Sequence, residues 1–109
     1  MLEVNKISIP IELPMKQIAE FCQRWQVIEF ALFGSVLRDD FRADSDVDVM
    51  VQFQPDAHPR FRTLDQMEAE LKTMFHREVD LVTREGIEAS RNYLRRREIL
   101  SSMQVIYAK

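Results

Sequence analysis

The run DVDVMVQF, residues 46 to 53, alternates with a period of two, which commits it to an extended strand with two unlike faces. Val47, Val49, Val51 and Phe53 fall on one face; Asp46, Asp48, Met50 and Gln52 fall on the other. VIEFALFG, residues 27 to 34, is rich in β-branched and aromatic residues, too short for a convincing helix, and ends at one of the chain's 2 glycines. It predicts a second strand. EVDLVT, residues 78 to 83, predicts a third.

Helical periods fill the intervals. Pro14 opens PMKQIAEFCQRWQ, where Met15, Ile18, Phe21, Cys22 and Trp25 recur at steps of three and four and form one apolar stripe. FRTLDQMEAELKTMF, residues 61 to 75, does the same with Phe61, Leu64, Met67, Leu71, Met74 and Phe75. SVLRDDF reads as a short helix or turn, and QPDAHPR as a loop. After Gly86, the stretch ending YLRRREILSSMQVIYAK predicts a last helix packed on the sheet through Leu94, Ile99, Leu100, Met103, Ile106 and Tyr107. Residues 1 to 13 alternate weakly and are broken by Pro10, as an extended arm or edge strand would be. The expected fold is α/β (α+β), a small mixed β-sheet with helices mainly on one face and the second face left for a site. One domain over residues 14 to 109 is expected to follow the arm.

The bulk properties exclude several classes. With 46% hydrophobic and 30% charged residues the chain is too apolar for disorder. A net charge of -3 and a pI near 5.4 lack the basic excess of a general nucleic-acid binder. The lone Cys22 excludes an internal disulfide framework and a cysteine zinc site, and fits a reducing compartment. MLEVNKISIPIELP has no continuous apolar core of the signal-peptide kind, and no stretch approaches a membrane span. A cytoplasmic protein without direct nucleic-acid or membrane contact is expected.

The acidic residues carry the chemistry. Asp39, Asp40, Asp44, Asp46 and Asp48 crowd residues 39 to 48. Asp46 and Asp48, two apart on a strand, project from the same face about 7 Å apart at Cα. Gly34 lets backbone approach a ligand closely, and Ser35 offers a hydroxyl and an N–H where the next turn begins, so the pair forms an anion-binding corner; a plain turn with an N-cap uses the same residues. A phosphate corner facing paired carboxylates is what holding a nucleoside triphosphate through Mg²⁺ requires, because the hard cation takes oxygens from both and removes their repulsion. Asp80, a charged residue inside an otherwise apolar strand, is the candidate third carboxylate of a two-metal site. Arg38 and Arg42 have two uses open to them, neutralising phosphate or pairing with Asp39, Asp40 or Asp44.

Gly34-Ser35, ten residues, then Asp46-x-Asp48 matches the GSx10DxD signature of the polymerase-β-like nucleotidyltransferase superfamily. With VDLVT and NYLRRREILSSMQVIYA, the chain from about residue 14 resembles the minimal nucleotidyltransferase antitoxins, which pair with HEPN ribonuclease toxins in type VII-like toxin–antitoxin systems. The resemblance implies Mg²⁺-dependent transfer of AMP from ATP to a tyrosine of the HEPN partner, in one or several units, silencing it. It also implies that Asp46, Asp48 and Asp80 are catalytic metal ligands, that Gly34 and Ser35 hold the triphosphate, and that Arg38 and Arg42 occupy positions where relatives carry arginine. Val36-Leu37-Arg38-Asp39 departs from the Ala-Arg-Gly pattern common after the GS pair.

Two other functions compete: nucleotidyl transfer to a small molecule, and a non-catalytic antitoxin that neutralises by covering its partner. Against the first stands the absence of room for an acceptor-binding domain; against the second, the set of three carboxylates. His58 and His76 are not at metal-ligand spacing, and Arg95-Arg96-Arg97 reads as a solvated helix side or a partner contact. Ser101 and Ser102 lack the histidine and aspartate of a hydrolase.

Overall fold

The structure is a computed structural model and is described over residues 11 to 109, so Val4, Ile7, Ile9 and Pro10 of the expected arm lie outside the described residues. Its elements are α1 (Met15–Trp25), β1 (Val27–Phe33), a 3₁₀ turn (Gly34–Leu37), β2 (Val47–Phe53), α2 (Phe61–Phe75), β3 (Val79–Thr83), α3 (Arg84–Glu88), α4 (Tyr93–Ser102) and β4 (Gln104–Ala108). The four strands form one mixed sheet in the order β3-β2-β1-β4. β1 runs antiparallel to β2 and β4, whereas β2 and β3 are parallel, with α2 as the crossover that parallel neighbours require.

The apolar stripes decide which face each helix covers. Ile18, Phe21 and Cys22 of α1 and Met67 and Leu71 of α2 are fully buried against Phe30, Leu32, Val47, Val49 and Val51. Phe21 meets Phe30 edge-on, with ring centroids 6.1 Å apart. Two stripe residues stand at helix starts and miss this core: Met15 is 46% and Phe61 87% exposed. Both helices stop at a residue in the left-handed region, Gln26 at φ 61° and His76 at φ 58°, and each leads within three residues into a strand.

The second face is not left bare. Met50, Ala31 and Phe33 form a smaller buried cluster there with Ile87 of α3 and Ile99 of α4. α3 is capped by Thr83, whose Oγ1 accepts from the Gly86 N–H at 3.0 Å. The two longer helices, α1 and α2, therefore lie on one face, and the shorter α3 and α4 cover part of the other.

The C-terminal segment departs most from its expected form. The helix ends at Ser102, Met103 turns to ψ 150°, and residues 104 to 108 form β4, pairing Phe30 with Tyr107 and Ala31 with Val105. Val105, Ile106 and Tyr107 are strand formers, and β1 would otherwise present an unpaired edge. Leu94, assigned to the packed face, is 73% exposed.

Candidate active site

Sheet register brings the acidic residues together. β2 and β3 pair Asp48 directly with Asp80, so side chains from adjacent parallel strands stand side by side on one face. Asp46 lies immediately before β2, where the Val47 N–H donates to the Glu78 carbonyl at 3.0 Å and fixes the start of the strand. Glu78 itself points to Lys72, 3.2 Å away, and takes no part in the cluster.

The turn after β1 is built against this cluster. Gly34 has φ 78°, a conformation glycine adopts without penalty. A β-carbon there would collide with Oδ2 of Asp48 and come within 3.2 Å of its Cγ. The glycine is thus required twice, by its backbone and by the carboxylate beside it. The Ser35 hydroxyl donates to the Asp46 carbonyl at 3.2 Å, tying the turn to the start of β2, while the first amides of the turn have no partner inside it.

Gly34, Ser35, Arg38, Asp46, Asp48 and Asp80 all line one cavity of about 860 Å³. Arg42 does not: its backbone N–H donates to the Ser45 hydroxyl at 2.9 Å, and its carbonyl accepts from the Ser45 N–H and from Arg77. Arg38 lines the cavity and also meets Asp40 at 3.4 Å, an exposed pair of little energetic weight. Asp39 and Asp44 are exposed.

One wall was missed by sequence reasoning. Arg95, Glu98 and Ser102 of α4 line the same cavity, with Ile99 beneath them. Their spacing of three and then four residues is the signal, since it places all three on one side of a helix. The arginine run hid it: Arg96 turns away to donate to the carbonyls of Glu88 and Ser90 and lies 5.5 Å from the Tyr93 ring centroid.

Electrostatics mark Asp48 as the centre. Burial pushes its carboxyl above the usual carboxylate range, the charges of Asp80 and Asp46 add to the rise, and Arg95 and Arg38 oppose it. This is an acidic cluster short of positive charge. Among the described residues no three carboxylate, histidine or cysteine groups are gathered tightly enough to cage an ion unaided. Mg²⁺ needs no such cage, because it is commonly held by one or two carboxylates, water and substrate phosphates. The all-oxygen donor set fits that ion.

Residues 14 to 106 match the family model of the nucleotidyltransferase domain, and the chain belongs to that family. Among its relatives, "Putative protein adenylyltransferase MJ1379" of Methanocaldococcus jannaschii is 33% identical over 64 residues, 59% of this chain and 64% of that protein. The chain thus spans slightly less than two thirds of that relative. "Protein adenylyltransferase MntA" of Thermococcus cleftensis is 29% identical over 89 residues, 82% of this chain and 85% of the relative. A crystal structure described as a toxin-antitoxin with AMP-PNP superposes with a TM-score of 0.68 at 16% identity, over 89% of this chain and 75% of that one. At that identity the likeness is one of fold.

Proposed function

We propose that this chain is an antitoxin-type protein adenylyltransferase that moves AMP from ATP to a tyrosine of a HEPN ribonuclease toxin, in the cytoplasm and with Mg²⁺. The observation that carries this reading is the pairing of Asp48 with Asp80 across β2 and β3, beside a glycine turn that a side chain would block. Relatives named as protein adenylyltransferases supply the acceptor class.

Asp46, Asp48 and Asp80 are the groups that would hold Mg²⁺, which when bound supplies positive charge against the triphosphate and the departing pyrophosphate. The Gly34–Ser35 turn admits the phosphates to within backbone reach of β1, and Arg38 adds a guanidinium at the rim. The tyrosine oxygen forms a bond to the α-phosphorus as the bond to the pyrophosphate oxygen breaks. Asp80, exposed on the edge strand β3, would accept the tyrosine proton and pass it to solvent. The acceptor approaches from the open side of the cavity, and no nucleophile is required from this chain.

The test is mass spectrometry of a HEPN protein encoded beside this chain, after incubation with the chain, ATP and Mg²⁺. Added AMP on a tyrosine is expected, with loss of ribonuclease activity. An unmodified partner whose ribonuclease is silenced without ATP would replace this reading with neutralisation by binding.

A further inference from the structure

Resting on the nucleotide reading above, we propose that Arg95 is a phosphate-contact residue, and that α4 holds the polyphosphate from a different element than the Gly34–Ser35 turn. Arg95 lines the carboxylate cavity, and among the described residues its side chain enters no ion pair or hydrogen bond. Glu98 stands three residues on, a spacing at which ion pairs form readily, yet the two are not paired. The guanidinium faces the carboxylates without a direct partner, in a cavity whose other arginine, Arg38, already meets Asp40 at 3.4 Å.

The helix that carries Arg95 is anchored by contacts of its own. Its backbone N–H is capped by Asn92 Oδ1 at 3.1 Å, Arg96 ties the helix start to the Ser90 carbonyl at 3.1 Å, and Ile99 is buried to 6% exposure against the sheet. A planar guanidinium on a prepared helix loses less freedom on meeting phosphate than one on a loop, and its fork of donors matches phosphate oxygens. Arg42, on the loop before β2, has neither advantage.

The experiment titrates the full chain with Mg²⁺ and a non-hydrolysable α,β-methylene ATP analogue, and separately with AMP, by calorimetry. Arg95→Ala is expected to weaken the analogue at least tenfold, to leave AMP within twofold and to keep the thermal midpoint of the wild type. Arg95→Lys should recover part of the loss, and Arg97→Ala should match the wild type. A general structural role would move AMP and analogue together, and that result overturns the proposal. So does an Arg95→Ala protein that binds the analogue as the wild type does, which leaves the nucleotide reading standing. A wild type that binds no analogue overturns both.

Discussion

Gly34 and Asp48 show how closely single residues constrain this site. Gly34→Ala would impose a left-handed backbone on a residue with a β-carbon and drive that carbon into the Asp48 carboxylate. A loss of about 1–3 kcal/mol in urea denaturation is expected, with analogue affinity falling about tenfold. Asp48 works in the opposite sense. Its raised carboxyl binds a proton more readily in the fold than in the unfolded chain, so the metal-free protein gains stability as pH falls through that raised range and is strained above it. Asp48→Asn should therefore raise the thermal midpoint in EDTA at neutral pH, and should abolish the further rise expected of the wild type when Mg²⁺ is added. Cys22 is fully buried and its thiol is pushed up to about 12. The unfolded chain loses that proton near the ordinary thiol value while the fold retains it, so stability falls as pH climbs above about 9. Urea midpoints from pH 8 to 10 should fall more steeply for the wild type than for Cys22→Ala.

At the scale of elements, what was legible in the sequence depended on periodicity. The alternation of DVDVMVQF placed Asp48 on one face with Met50, and the three strands with their two long helices followed from composition and stripe. Loops and short elements gave no such handle. Arg42 sits in a connector whose path no period fixes, and it lies off the cavity; Arg95 belongs to a run of arginines that reads as solvated surface until its helix is seen against the sheet. The apolar residues of β4 suit a helical continuation as well as a strand, and only the unpaired edge of β1 decides between the two. The connector from 38 to 46 has its own support. Arg77 donates to the carbonyls of Arg42 and Ser45 at 3.4 and 3.3 Å and lies 4.9 Å from the Phe41 ring centroid. Arg77→Ala should cost about 1–3 kcal/mol and speed proteolysis within residues 38 to 45. Unchanged cleavage there would show that the connector is held by other contacts.

For the molecule as a whole, sheet topology assembles the site. A parallel β2–β3 pair aligns Asp48 with Asp80, and the antiparallel β1–β2 pair places Phe33 opposite Asp48, so that the glycine after β1 meets the carboxylates. α4 and α3 then cover part of the face that the sequence had left open, and convert an acidic sheet surface into a walled cavity. None of the helices is long and apolar enough to cross a membrane among the described residues. In the proposed reaction, Asp46 and Asp48 hold the metal for AMP transfer to a partner tyrosine. The direct measurement compares wild type with Asp46→Ala/Asp48→Ala, by partner mass after incubation with ATP and Mg²⁺. The double variant should keep the wild-type circular dichroism and add no AMP, a loss of at least a thousandfold; transfer at the wild-type rate would show that these carboxylates do not hold the metal.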